Sequence, residues 1–399
     1  MFRSLFRLRR FLTLKFFKNT FLRDYRAQGS KKTGHALLYY KTDPFVFPDL
    51  TLQYEHTNDW EVVEIAQILN RMGYWVDIVD RDIDMNTFNV EDKYDIFIGL
   101  GAGNSGKYFA EIGRHLTKAI RIFLAAGPDP DLSNDLILKR YAYFRQRHPG
   151  KDLLLRRMID KVDMTKAMAV TDAIFAIGNH FSLQSYQKYN KMIYAIYPST
   201  SPNLSADNNQ LTKRDSHKFL YFGGSGNVVK GLDLLLEVFQ DLPQHELYIC
   251  APKEETDFMD FYKDTLRLKN IHFLGFITVG GKLFNQVTSK CGYFVLPSCS
   301  EGIATSGVTC MRRGLIPITT CESGIDLGDF GFLIKDIEIS SLKKLIQHAS
   351  QISHEEFTRR SVQTYQNSQR YTQLSFSRQF EASLSQVLRD SKMKVYESQ

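Results

Sequence analysis

The chain has 399 residues, 43% of them hydrophobic, with a net charge of +7. That size and composition suit about two globular domains and exclude a collagen-like, low-complexity or disordered chain. The charge is uneven. Residues 1–32 hold ten Lys or Arg and one acid, Asp24, so this segment carries +9 and the rest of the chain −2. A near-neutral body lacks the basic stripe that nucleic-acid binding needs, and no nucleic acid is expected as a partner.

The basic arm, 1–32, also carries Phe2, Leu5, Phe6, Leu8, Phe11, Leu12, Phe16, Phe17 and Phe21. Its apolar runs are far shorter than the roughly 20 residues of a membrane span. No separate apolar region or small-residue cleavage site marks a secretory signal. The pattern suits an amphipathic segment lying on an anionic membrane surface. A disordered or core-packed N-terminus and an organellar transit peptide are the other readings of this composition. The expected location is cytoplasmic, peripheral at the inner face of a membrane.

Elements then alternate. A strand is expected at 35–40, a long loop after it, and an amphipathic helix near 60–72 closed by Gly73. Strands follow at "YWVDIVD" and 94–101, a helix near 106–118, and a strand at 120–127. Residues 134–170 read as mostly helical, with strands at 173–178 and 192–198. The polar stretch 199–217 reads as a linker. Alternation restarts with strand "KFLYFGG", helix 231–241, strand 246–252, helices near 257–266 and 281–289, and strands "IHFLGF" and "GYFVLPS". After a loop at 298–306 come a short helix at 307–313, strand "LIPITT" and a helical tail over 338–390. Such alternation points to doubly wound parallel α/β sheets, with ligands at the carboxyl ends of strands.

The five cysteines, Cys250, Cys291, Cys299, Cys310 and Cys321, lack C-x-x-C spacing. They read as small buried hydrophobes in a reducing compartment, with no metal site expected.

Three glycine-rich stretches carry the chemistry. "GAGNSGKY", 101–108, nearly matches a nucleotide P-loop, but Tyr108 replaces the Ser/Thr that holds magnesium. It reads as a strand-to-helix turn, with Asn104 a candidate on the acceptor side. "HTND", 56–59, follows the first strand's loop, and His56 or Asn58 could face an acceptor. A plain helix entry explains His56 as well.

"FGGSGNVVKGLDLLLEVF", 222–239, ends a strand in Gly223 and Gly224, continues through Ser225 and Gly226, and opens a helix after Lys230. Glycines allow close backbone approach, and Lys230 could neutralise a diphosphate. A tight turn alone would explain it equally. "VLPSCSEGIATSGVTCMRRGLIPITTCESG", 295–324, carries Glu301, Gly302, Thr305, Ser306, Gly307 and Thr309 on a loop leading into a helix. Amides near 305–308 could face an anion. Glu301 could accept sugar hydroxyls, or serve only as a capping acid.

Together these two stretches resemble the retaining glycosyltransferases of family 4, the glycosyl transferases group 1, which have the GT-B architecture. The match spans roughly 217–335. The resemblance implies two Rossmann-like domains facing a central cleft: an acceptor domain over 33–200, a donor domain over 217–372, and a C-terminal helix, 373–399, crossing back. It implies sugar transfer, with retention, from a nucleoside-diphosphate sugar of UDP or GDP type to a glycan or lipid-linked hydroxyl. Surface polysaccharide or lipopolysaccharide synthesis would be the setting, without metal or other cofactor. Lys230 and the amides of 224–226 and 305–308 would stabilise the leaving group, and Glu301 would orient the sugar.

Two positions depart from the family pattern. A second acid is usual eight residues after the first, where this chain has Thr309. An Arg is usual five residues before the lysine, where it has Ser225. A basic residue from the N-terminal domain could substitute for that cation. The departures also keep open a non-catalytic nucleotide-sugar or glycan-binding relic. An inverting GT-B transferase is a third reading.

Overall fold

The computed structural model describes residues 21–26, 33–46, 48, 57–86, 88–101, 104–160, 163–207 and 211–397. Two sheets dominate. The first has the order β1-β3-β2-β4-β5-β6-β7. Its strands are β1 (Phe21–Tyr25), β2 (Gly34–Tyr40), β3 (Tyr74–Asp80), β4 (Ile96–Leu100), β5 (Ile120–Ala125), β6 (Ala173–Ile177) and β7 (Met192–Ile196). The second runs β10-β9-β8-β11-β12-β13. Its strands are β8 (Asp215–Phe222), β9 (Glu246–Cys250), β10 (Ile271–Phe273), β11 (Cys291–Leu296), β12 (Ile316–Thr319) and β13 (Phe332–Leu333).

The central strands of both sheets are near-continuous apolar runs. Every residue of β4 and β11 is buried. Strands covered by helices on both faces need such runs. All pairings of the second sheet are parallel. In the helix Thr57–Arg71, Val62, Ile65, Ala66, Ile68 and Leu69 form the buried stripe. Gly73, at φ +95, ends it as expected, and its carbonyl accepts from Thr33 N.

Three expectations change. The arm's boundary moves: Phe21–Tyr25 is an edge strand, antiparallel to β3, with Phe21 opposite Val79 and Leu22 opposite Ile78. Asp24, at φ +52, donates its N–H to the buried Asp77 carboxylate, and Phe21 packs edge-on against Phe88. Residues 1–20 and 27–32 lie outside the described residues. Next, the region 134–170 is two helices, Pro130–Arg147 and Met164–Ala169. The first stops at His148–Pro149–Gly150, where proline cannot continue the ladder and Gly150 takes φ +74. An irregular segment, 151–160, follows. Finally, the stretch expected as a linker is anchored at Thr200, Leu204 and Ser205, and its end, from Asp215, belongs to β8. Leu204 O accepts from Arg312 at 2.7 Å, Arg313 bonds Ser205 O, and Thr200 donates to Tyr371 O at 2.7 Å.

The chain divides into two compact units. One takes residues up to Leu124, Val162–Ile174 and Phe380 onward; the other takes Ala125–Lys161 and Phe175–Gln379. Residues 125–161 and 175–200, expected with the first domain, therefore group with the second unit. The last helix, Gln373–Glu397, passes from the second unit's residues into the first unit's. All five cysteines are free thiols and four are buried, which pushes Cys250 to about 12 and Cys299 to about 11. Among the described residues no helix is long and apolar enough to cross a membrane.

Candidate active site

In the second sheet β8 and β11 are neighbours, with Phe219 opposite Tyr293 and Leu220 opposite Phe294. From β8 the chain proceeds to β9 on one side; from β11 it proceeds to β12 on the other. The loops leaving these two strands thus part at a topological switch point, where open α/β sheets bind ligands. Lys230 comes from one loop and Glu301 from the other.

The β8 loop is shaped by hydrogen bonds. Gly223 N donates to Cys250 O at 3.0 Å, extending the ladder toward β9. Gly224 and Ser225 are exposed. Gly226 turns the chain at φ +93. Lys230 N then bonds Gly226 O, Gly231 N bonds Val228 O, and Leu232 N bonds Asn227 O, at 2.8, 3.0 and 2.8 Å. These turns deliver the chain into the helix Leu232–Gln240. The β11 loop is stitched to this one by Cys299 N donating to Val229 O at 2.9 Å. A third loop supports it: Glu301 N donates to Glu322 O and Ala304 N to Ser323 O, both at 2.9 Å.

This stitching brings the two expected catalytic residues together. Lys230 Nζ is paired with Glu301 Oε1, and Ser298 Oγ donates to the same oxygen at 3.2 Å. Lys230 is 6% exposed. Burial pushes its pKa below the ordinary lysine value, with Glu301 opposing the shift and Arg157 adding to it. For Glu301, burial acts upward, but Lys230 and Arg157 outweigh it and hold the carboxyl below the usual glutamate range. The carboxylate is therefore ionised at neutral pH, placed to accept hydroxyl hydrogens.

Two residues of this site escaped sequence reasoning. Arg157, from the irregular segment 151–160, puts Nη1 3.7 Å from Glu301 Oε1. Glu255, which precedes the helix Thr256–Phe261, accepts from the amides of Gly226 and Asn227. The signal for Arg157 was present as "RRMID", but that stretch read as helical. Nothing local marks Glu255.

Glu255 also corrects the expected amide cradle. The Gly226 amide is engaged by a buried carboxylate, so it is not part of an anion site. Likewise Gly307 N and Val308 N bond Ala304 O at 2.8 and 3.1 Å, as the first turn of the helix Thr305–Met311 forms. Of the amides expected over 305–308, only those of Thr305 and Ser306 are outside that turn's ladder. Gly302 serves packing: a Cβ there would stand 2.4 Å from Ala126 O and 2.7 Å from Ile177 O. Thr309, where the resemblance would put a second acid, is buried on the same helix as Gly307. Thr305 and Ser306 are half-buried at its start.

The helix Pro130–Arg147 holds the two loops from behind. Arg140 donates to Pro297 O at 2.7 Å, and Arg147 pairs with Asp233 and Glu237 on the helix that follows Lys230. Of the acceptor-side candidates, His56 lies outside the described residues. Asn58, in the first turn of Thr57–Arg71, has a buried Oδ1 with no hydrogen-bond partner among the described residues. Asn104 opens the helix Asn104–His115, and its side chain lies outside what is described.

Comparison with known proteins bears on the fold and on the second sheet's family. Residues 216–351 match the family model for glycosyl transferases group 1. No curated protein matches the chain. Among solved structures, sucrose-phosphate synthase from Thermosynechococcus elongatus superposes with a TM-score of 0.62 at 12% identity, over 90% of this chain and 100% of that one. HepE from Anabaena, in complex with UDP and glucose, gives 0.58 at 14% identity, over 88% and 100%. WaaG, a glycosyltransferase involved in lipopolysaccharide biosynthesis, gives 0.53 at 12%, over 87% and 98%. The chain therefore has the GT-B fold, and its second sheet and the helices around it match the group 1 glycosyl transferase domain.

Proposed function

We propose that this protein is a retaining glycosyltransferase of family 4, using a nucleoside-diphosphate sugar of UDP or GDP type. The observation that carries the reading is the Lys230–Glu301 pair at the switch point of the matched domain. Leaving-group departure develops negative charge on a diphosphate. A buried lysine beside it stabilises that charge in a low-dielectric site, without reorganisation. The Glu301 carboxylate orients donor hydroxyls, and Ser298 holds the carboxylate in place. Acceptor attack is favoured by holding its hydroxyl near the anomeric carbon. In this scheme Lys230 neutralises the diphosphate and no metal takes part.

The acceptor is a glycan or lipid-linked hydroxyl in surface polysaccharide or lipopolysaccharide assembly. Support comes from the greasy, basic composition of residues 1–20 and from the resemblance to WaaG. Those residues bring the enzyme to an anionic membrane from the cytoplasmic side.

The test is nucleoside diphosphate release from a panel of UDP-, GDP- and dTDP-sugars, with and without EDTA. Turnover that persists in EDTA supports the scheme, and the anomeric configuration of the product separates retention from inversion. A folded protein with no turnover on any donor is a binding module instead, the reading that Ser225 and Thr309 favour. Partition into anionic liposomes, unchanged on deleting residues 1–20, would remove the membrane role.

A further inference from the structure

The position where the family has its arginine, Ser225, is exposed and carries no charge. Yet a second cation stands at the site. Arg157 Nη1 lies 3.7 Å from the same Glu301 oxygen that pairs with Lys230. At that distance the contact is electrostatic rather than a hydrogen bond. Among the described residues the guanidinium donates no hydrogen bond, and it is 37% exposed, so its N–H fork remains accessible.

The surroundings are built to hold Arg157 there. Its backbone sits at φ +64, a left-handed conformation that costs a non-glycine residue energy. Anchors on both sides enforce it. Before it, Leu154 N and the Arg156 guanidinium donate to the Asp257 carboxylate, and Arg156 N donates to the Tyr141 hydroxyl at 3.1 Å. After it, Asn134 makes a reciprocal pair with Ile159, both bonds at 2.8 Å. The side chain then crosses Gly226, where a Cβ would stand 2.4 Å from Arg157 Cδ and 2.9 Å from Cγ. A glycine beside the vacated family position thus makes room for an arginine arriving from elsewhere.

We propose that Arg157 is the second diphosphate-binding cation of this site, doing with Lys230 what the family's arginine does from position 225. Its fork matches phosphoryl oxygens in a way that a lysine does not. The inference rests on these two loops forming a donor site, as proposed above, and it names which residue completes that site.

The experiment measures binding of UDP, GDP and ADP, and of the corresponding nucleosides, to the full-length protein. Arg157→Gly is the informative variant, because glycine keeps the left-handed backbone and so spares the fold. Arg157→Gly should weaken the bound diphosphate about tenfold or more while leaving the nucleoside unchanged. Adding Ser225→Arg to Arg157→Gly should recover a substantial part of the loss. If Lys230→Ala loses diphosphate and Arg157→Gly does not, the inference is overturned and the donor site stands. Equal weakening of diphosphate and nucleoside also overturns it, since Arg157 would then act only on structure. A wild-type protein that binds none of the three diphosphates overturns the donor reading and the inference with it.

Discussion

Gly226 carries the stem of Arg157: a methyl group on its α-carbon would stand 2.4 Å from Arg157 Cδ. The backbone there is at φ +93, so alanine is strained twice over. Gly226→Ala should cost about 1–3 kcal/mol and displace Arg157. Gly224→Ala, two residues away with nothing within 4 Å, should change stability by less than about 0.5 kcal/mol. Urea unfolding midpoints of the two variants check the contrast.

Lys230 and Glu301 neutralise each other, with side chains only 8% and 11% exposed. Lys230→Met strands a largely buried carboxylate and should destabilise by about 3 kcal/mol. The double variant Lys230→Met/Glu301→Gln removes the stranded charge and should regain most of that loss. Donor turnover should fall about a hundredfold or more in both. Equal stability of the single and double variants would refute the pairing.

Backbone crosses backbone beneath the Glu301 loop. A Cβ on Gly324, at φ +78, would overlap Gly302 O at 1.6 Å. Neither loop can yield without moving Glu301, whose amide is tied to Glu322 O in the same loop pair. Gly324→Ala should lose about 3 kcal/mol or more, or fail to accumulate as folded protein. Thermal unfolding and expression yield report this.

The segment carrying Arg157 depends on Asn134. Removing that carboxamide takes away both hydrogen bonds to Ile159. Asn134→Ala should cost about 1–3 kcal/mol and speed tryptic cleavage at Arg156 and Arg157. An unchanged cleavage rate would show that the Asp257 anchor suffices.

Acid should loosen the second sheet through His245, which is 3% exposed. Burial, and then the neighbouring His217, push its pKa below the ordinary 6.5. Its Nε2 meets Ser350 Oγ at 2.8 Å, and its ring stacks on His217 at 5.2 Å. Folding thus favours the neutral ring, and the unfolded chain binds the extra proton. The contribution is full above pH 6.5 and declines as pH falls below it, by at most about 1.4 kcal/mol per pH unit. His245→Asn should flatten that slope in denaturation curves between pH 7 and 5.

Local pattern made the two doubly wound sheets legible. Apolar runs such as "CGYFVL" and helix stripes such as Val62–Ile65–Leu69 report burial through spacing alone. The resemblance put Lys230 and Glu301 in one site, but their ion pair came from the structure, where both loops leave neighbouring strands of the second sheet. The arm's boundary was misjudged at Phe21–Tyr25, since edge pairing with β3 depends on a partner far along the chain. The helix expected through 150–160 ended early, at His148–Pro149–Gly150.

Sequence by itself determined the alternating elements, the glycine-rich loops and the missing cation at Ser225. Only the tertiary structure showed a guanidinium, that of Arg157, beside Glu301. Arg157 reaches Glu301 because Asp257 and Asn134, distant in sequence, hold a strained turn, and because Gly226 has no side chain to obstruct it. Spacing encodes contacts along one helix or strand. Contacts closed by long loops depend on how whole elements pack, and no short stretch of residues records that.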